Sequence, residues 1–167
     1  MKRAWSVRLS FVFLMLFSFS WSSVYYGSPV QSAMVINQGS YDAVMRLPLK
    51  VDGSSTIQSI TVVNESDDMY FGADGVTKIQ IYEDVTPIYS FSSTVDSLIK
   101  EIDFSGIEQA ADEQTFTGLS LSPTLTTNYF IVYHFSSEAS EGGTAYLQVT
   151  SIADQSDDYE VSHTRMS

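Results

Sequence analysis

The chain has 167 residues, and its eight Lys and Arg against twenty Asp and Glu give a formal net charge of −12. This negative charge opposes binding to nucleic acid and to anionic lipid, so neither is expected as a partner. The absence of Cys excludes disulfides, thiolate metal sites and a cysteine nucleophile, and the length fits a single folded domain.

The first 22 residues have the pattern of a secretory signal peptide. Lys2, Arg3 and Arg8 precede an apolar stretch, 9–21, that small residues follow. As a helix this stretch would be about 20 Å long, which is shorter than the roughly 30 Å of a bilayer's hydrocarbon core. We therefore expect cleavage near Ser22 and no stable membrane span afterwards, with a permanent single span as the alternative. The mature protein is expected to be secreted or exposed on the exterior of the cell envelope, with the periplasm as the alternative.

Residues 23–40 form an extended, uncharged arm ahead of the main domain. Val30, Ser32, Met34 and Ile36 fall on alternate positions, as in a short strand. The arm is expected to be the first strand of its own sheet, because sheet edges are normally covered within one domain. The alternative is self-association, in which the arm adds to the sheet edge of a neighbouring copy.

Residues 41–152 predict an all-β domain, an antiparallel β-sandwich of about seven to nine strands. Runs of β-branched and aromatic residues alternate with Gly, Asp, Asn, Ser and Pro clusters, as in sandwiches and barrels. Pro48 has no N–H group, so the strand that contains it is expected to be an edge strand or to be bulged there. A polar, acidic tail follows at 153–167. The predicted strands are 42–51, 56–64, 76–84, 86–91, 114–121, 126–136 and 143–152.

A short helix or an irregular crossover is predicted around 93–102, in an otherwise all-β chain. Val95, Leu98, Ile99 and Ile102 recur there at helical spacing.

The predicted core takes its residues from the most apolar strands. Strand 126–136 has almost no polar side, so it is expected to be a central strand covered on both faces, or to keep one face for a partner. The predicted core residues are Ile60, Val62, Ile79, Ile81, Ile131, Tyr133, Leu147 and Val149.

The order of these segments resembles an immunoglobulin-like β-sandwich module of secreted and cell-surface proteins of bacteria and archaea. In such modules an Ile/Leu-Tyr-x-Asp strand end is followed by a hydrophobic strand, an Ala-x-x-Gly turn and a last strand. The resemblance covers about residues 41–152 and implies a sandwich fold, and it brings no catalytic residues. The matching positions are Ile81 to Asp84, Phe130 to Phe135, Ala139 to Gly143 and Leu147 to Ile152.

The side chains that could carry chemistry are few. The two histidines are His134, in the most apolar strand, and His163, in the tail. A strand histidine is expected to face a neighbour's hydroxyl or carbonyl rather than to act in a hydrolytic triad. Asp67, Asp68 and Asp74 lie within one loop, which is expected to be a solvated acidic loop, with a weak calcium site as the alternative.

These observations predict a secreted or surface-exposed, non-catalytic module that is structural, adhesive or protein-binding. Its expected partner is another surface or envelope protein, and no cofactor is expected apart from the calcium alternative. The rival functions are a carbohydrate-binding module and a small secreted hydrolase. Tyr129 and Tyr133 are the candidate ligand-binding residues, because a solvent-exposed row of aromatic rings on a sheet face would favour sugar binding.

Overall fold

The computed structural model describes residues 23–27, 29–31, 34–67, 69–86, 89–154 and 158–160, and these form strands and loops without a helix. None of them, accordingly, lies in a helix that could cross a membrane. The predicted signal peptide, 1–22, lies outside the described residues. The strands are β1 (Ser23–Tyr26), β2 (Val30–Gln31), β3 (Met34–Val35), β4 (Tyr41–Asp52), β5 (Ile57–Asn64), β6 (Val76–Glu83), β7 (Ser97–Asp103), β8 (Glu113–Leu121), β9 (Thr127–Phe135), β10 (Thr144–Ala145), β11 (Leu147–Ala153) and β12 (Asp158–Glu160).

The strands build two antiparallel sheets, as expected for a β-sandwich. The six-stranded sheet has the order β1-β4-β9-β6-β7, and β2 also pairs with β4. The four-stranded sheet has the order β12-β11-β5-β8, and β3 pairs with β10 in a small separate ribbon. Eight of the described strands have four or more residues, which agrees with the predicted seven to nine. The all-β prediction is confirmed, while the immunoglobulin-like assignment stays a prediction.

The main core takes apolar residues from both sheets, and it contains all eight residues predicted for it, each at most 2% exposed. Aromatic rings fill its centre. The ring of Phe71 stacks on Phe104 with centroids 5.0 Å apart and meets Tyr133 edge-on at 5.6 Å. Alternate residues of β9 point into this core, which fixes the register of that strand because a slip by one residue would turn them outward.

The helix predicted around 93–102 is wrong, because residues 97–103 form the edge strand β7. Ile81 pairs with Lys100 and the next residue, Tyr82, pairs with Leu98, so Ile99 is an extra residue in a β-bulge. A bulge shifts the alternation of a strand by one residue. Ile99 and Ile102 therefore both pack against the core although they are three positions apart, and this produced the helical spacing.

The expectation that Pro48 marks an edge strand or a bulge is also wrong. β4 lies between β9 and the arm, and its bulge lies between Ala43 and Met45. The Pro48 carbonyl accepts a hydrogen bond from the N–H of Gly27, at 2.9 Å. In a strand the N and C=O of one residue point to the same side. The missing N–H of Pro48 therefore faces the interruption between β1 and β2, where no ladder bond is required.

Both ends of the described chain add strands to the sandwich. The arm pairs with its own chain, with Tyr26 opposite Leu49 in β1 and Val30 opposite Arg46 in β2. The predicted tail contains β12, which pairs with β11 at the edge of the four-stranded sheet. The arm's described strands are thus paired within one molecule, as expected of a first strand.

Candidate functional site

The outer face of the six-stranded sheet, turned away from the main core, carries a second and smaller apolar cluster. Phe130 and Val132 of β9 and Tyr82 of β6 are buried there. A loop of residues 84–96, called the covering loop here and described except for 87–88, lies over them. Its Phe91 ring meets Tyr82 at 5.0 Å and Phe130 at 5.8 Å, both edge-on. One loop thus gives β9 its second covered face.

Two aspartates hold the covering loop in place. The carboxylate of Asp96, which is buried, accepts the N–H of Ser92 at 2.7 Å and that of Val85 at 3.4 Å. The carboxylate of Asp84 accepts the N–H of Thr86 at 3.1 Å. The N–H of Asp84 itself donates to a carbonyl of β9 at 3.0 Å. Such side-chain acceptors for backbone N–H groups are the usual way in which Asp fixes a turn.

A cleft of about 270 Å³ lies between the covering loop and the arm side of β4, and we call it the Arg46 cleft. Its walls are apolar and aromatic, with one cation. The lining residues are Val30, Ala43, Met45, Arg46, Tyr89, Ser90, Phe91 and Phe130. The cleft is therefore a concavity of mixed lining, in which apolar and aromatic side chains stand beside one charged group and the polar surface exceeds the apolar.

The side chains of Arg46 and Tyr89 stack in this cleft. The Cζ atom of Arg46 lies 5.0 Å from the centroid of the Tyr89 ring, within the range of a cation–π contact. The Nε atom of Arg46 is buried and has no hydrogen-bond partner, and no ion pair joins Arg46 to any described residue. Tyr89 has a φ of 56°, in the left-handed region that large side chains rarely adopt. Its side chain is 62% exposed.

A polar network centred on Gln80 continues the outer face beyond the covering loop. The Gln80 amide donates to the carboxylate of Glu101, so its Oε1 atom is left as an acceptor. The Nε2 atom of His134 lies 2.8 Å from that oxygen, and the Tyr82 hydroxyl donates to it at 3.2 Å. Tyr41 stacks on the His134 ring at 5.1 Å. His134 therefore faces a side-chain carbonyl, as predicted.

Ionic neighbours set the protonation of this network. Burial, together with the charge of Lys78, lowers the pKa of His134, while Glu101 opposes this shift. The Lys78 ammonium lies 2.9 Å from Glu101 and 3.2 Å from Asp103. The hydrogen bond from Lys78 lowers the pKa of Glu101, and hydrogen bonds from Ser105 and Lys78 lower that of Asp103 to about 2. A neutral His134 that donates from Nε2 fits this arrangement.

The expectation that Tyr129 and Tyr133 form an exposed ligand platform is wrong. Their side chains are only 2% and 0% exposed, because both lie on the inner face of β9 and belong to the main core. Burial raises the pKa of both phenols well above the usual range. The exposed aromatic rings near the cleft are Tyr41 and Tyr89 instead, at 46% and 62% exposed.

The three aspartates of the calcium alternative are placed only in part. Asp67 and Asp74 are exposed, and Asp68 lies outside the described residues. The carbonyls of Tyr70, Phe71 and Gly72 already accept backbone N–H groups. Within the described part of the chain no three acidic, His or Cys side chains are grouped to hold a metal ion. The calcium site stays a prediction that rests on the sequence.

Arg46, Tyr89 and Phe91 were not singled out by the sequence. Arg46 and Tyr89 lie more than forty positions apart, and nothing in the local pattern shows that they meet. The one available signal was an Arg in a strand that is otherwise largely apolar.

Comparisons with known proteins give no family for this chain: no family model matches it, and no curated protein is significantly similar to it.

Proposed function

We propose that this protein is a secreted or surface-exposed β-sandwich without catalytic activity, an adhesive or structural module that binds another surface or envelope protein. The outer face of the six-stranded sheet would be the binding surface. One observation carries the proposal, namely that this face exposes aromatic rings and has, beside a cleft, an Arg46 that forms no ion pair with any described residue. An exposed apolar patch with polar groups at its rim is typical of an interaction site.

The surroundings of His134 support a role without catalysis. A hydrolytic triad requires the imidazole to bridge a nucleophilic hydroxyl and a carboxylate. The described hydrogen bond of the His134 ring goes to the Gln80 amide oxygen, and Tyr41 covers one face of the ring. This geometry holds a neutral imidazole in a network that joins β9, β6 and β7, which is a structural task.

Carbohydrate binding is the second candidate, and the exposed ring of Tyr89 favours it. A sugar ring packs on an aromatic face, and Tyr89 offers one beside a cation. The residue proposed to contact a sugar is therefore Tyr89 of the covering loop, in place of the buried Tyr129 and Tyr133.

Binding of the purified protein to the envelope fraction of the cells that produce it tests the proposal. The informative variant is Tyr89→Asn, because Asn tolerates the left-handed backbone that Tyr89 adopts. We expect binding to weaken by about tenfold or more, as for the loss of a binding hot spot. The matched control is Thr117→Ser, on the exposed side of β8 in the other sheet, and it should bind like the original protein. Equal binding by Tyr89→Asn and the original protein would contradict this binding surface.

A further inference from the structure

We infer that the Arg46 cleft binds a single carboxylate group carried on one flat ring, such as an aromatic acid or an acidic sugar. The inference names the ligand class of the surface proposed above and rests on that proposed function. Three features of the cleft carry it: the state of the Arg46 guanidinium, the backbone of Tyr89, and the size and charge of the surroundings.

Within the described part of the chain, no carboxylate pairs with the guanidinium of Arg46. Its Nε–H is buried beside aromatic rings without a hydrogen-bond partner, although the chain has twenty acidic residues. Leaving a charged donor buried and unpaired is costly, so native proteins normally pair such groups. Because Nε itself is closed to solvent, a carboxylate in the cleft would pair with the terminal N–H groups of the guanidinium, through the two parallel hydrogen bonds that Arg forms with carboxylates. Carboxylate is thus the group that this donor arrangement fits.

The backbone of Tyr89 is held in an unfavourable conformation that positions its ring. A φ of 56° is rare for an aromatic residue, and strained residues of this kind persist where the surrounding structure imposes them. Ser92 and Thr86, on either side of Tyr89, donate backbone N–H groups to Asp96 and Asp84. The result is a ring that faces the Arg46 guanidinium and leaves most of its own surface to solvent.

Size and charge limit the rest of the ligand. A volume of about 270 Å³ is slightly below the roughly 300–1,000 Å³ of small-molecule sites, so the cleft suits one ring rather than a chain of rings. Phe91, Phe130 and Val30 provide apolar walls. A protein with a net charge of −12 repels polyanions, so one carboxylate on an otherwise uncharged ring fits better than a polyacid.

Titration of the ¹⁵N-labelled protein, observed at the Arg46 Nε–H resonance, tests the inference directly. The two acid probes are benzoate and glucuronate, and their uncharged counterparts are benzyl alcohol and glucose, all at constant ionic strength. We expect at least one acid to shift the Arg46 resonance with saturation and a Kd on the order of 1–10 mM, as for a ligand of so few atoms. The acid that binds more tightly identifies the aromatic or the sugar source. The uncharged probes should bind at least tenfold more weakly.

Two substitutions of Arg46 separate the donor geometry from charge alone. For Arg46→Gln, titration followed at the backbone amides of Phe91 and Phe130 should show no saturable shift with either acid. Arg46→Lys keeps the charge but not the planar pair of donors, so it should bind several-fold more weakly. Arg46→Lys also tests the role of the guanidinium if Arg46→Gln does not fold. The matched control is Lys100→Gln on the opposite edge strand β7, which should bind both acids normally.

Three results would overturn the inference: no saturable shift with either acid, equal binding of the uncharged probes, or loss of binding in Lys100→Gln. The proposed function is tested by a different measurement, the Tyr89-dependent binding to the envelope fraction, so the two can be rejected independently. Envelope binding that needs Tyr89, without carboxylate binding, would reject the ligand class and keep the surface. Carboxylate binding without envelope binding would reject the adhesive role and keep the cleft.

Discussion

The two faces of β9 are both buried, but for different reasons. On the inner face, Tyr129, Ile131, Tyr133 and Phe135 join a core that both sheets build. On the outer face, Phe130 and Val132 belong to a small cluster under one loop of the same chain. The inner face is therefore buried by the fold, whereas the burial of the outer face depends on residues 84–96. The same apolar strand serves stability on one side and, on our proposal, binding on the other.

The largest effect that tests this comparison is expected on the inner face. Ile131→Ala should lower the free energy of unfolding by about 2–5 kcal/mol, the usual cost of removing a buried Ile side chain and leaving a cavity. Ile81→Ala, at the paired position of β6, should have a similar effect. Urea denaturation followed by circular dichroism measures both. A midpoint that neither substitution changes would mean that the inner face is assigned wrongly.

A smaller loss is expected on the outer face. Phe91→Ala removes a partly buried ring from the covering loop and should cost about 0.8–1.5 kcal/mol, roughly half of the value for full burial. Hydrogen exchange should localise the change, since the N–H of Ser92 depends on the loop while the ladder of β9 does not. Equal loss of protection in β9 and in the loop would show that the two faces unfold together.

Sequence patterns identified the residues of the inner face but not what covers the outer face, for a physical reason. All eight predicted core residues are buried, because alternation along a strand directly reflects which side faces the opposite sheet. The pattern also left open whether the other side of strand 126–136 is covered or kept for a partner. Covering depends on where residues 84–96 pass, and this contact across the chain has no period in the sequence. The same holds for Arg46 and Tyr89.

The wrong prediction of a helix around 93–102 also arose from a contact between segments that a local pattern does not show. Ile99 and Ile102 were three apart, a spacing that an α-helix explains locally. The bulge that explains it instead is a property of the pairing between β6 and β7, which a single strand does not display. Tyr133 was expected both in the core and at a ligand site. The packing of Phe71 and Phe135 on its ring, which the sequence pattern does not show, places it in the core.

Removing the hydroxyl group from each of two tyrosines should change the free energy of unfolding in opposite directions. On the inner face, the Tyr133 hydroxyl is fully buried and has no hydrogen-bond partner among the described residues, so Tyr133→Phe should raise the free energy of unfolding by about 1 kcal/mol. On the outer face, the Tyr82 hydroxyl donates to Gln80, so Tyr82→Phe should lower it by about 0.5–1.5 kcal/mol. Denaturant titrations of the two variants under the same conditions compare them. A destabilised Tyr133→Phe would imply a partner for that hydroxyl in solution.

The smallest expected effect is a pH dependence that arises on the outer face at His134. Its pKa is lowered in the folded protein by burial and by Lys78, against the opposing charge of Glu101. The unfolded chain, with an ordinary pKa of about 6.5, therefore takes up the proton first as the pH falls. Stability should be complete above about pH 6.5 and decrease below it, down to the lowered pKa of the folded state. The decrease should be small because solvent screens the partly exposed ring.

His134→Gln isolates this effect from the other titrating groups that face the ring, which are Tyr41, Lys78, Tyr82 and Glu101. The carboxylates of Glu101 and Asp103 have lowered pKa values, so their contribution is lost only at more acidic pH, toward about 2 for Asp103. Unfolding free energies of both proteins at pH 7.5 and 5.5 should therefore differ in slope, with the original protein losing more on acidification. Parallel slopes, or a greater loss in the variant, would show that His134 is not held neutral by its place under Tyr41 and beside Gln80.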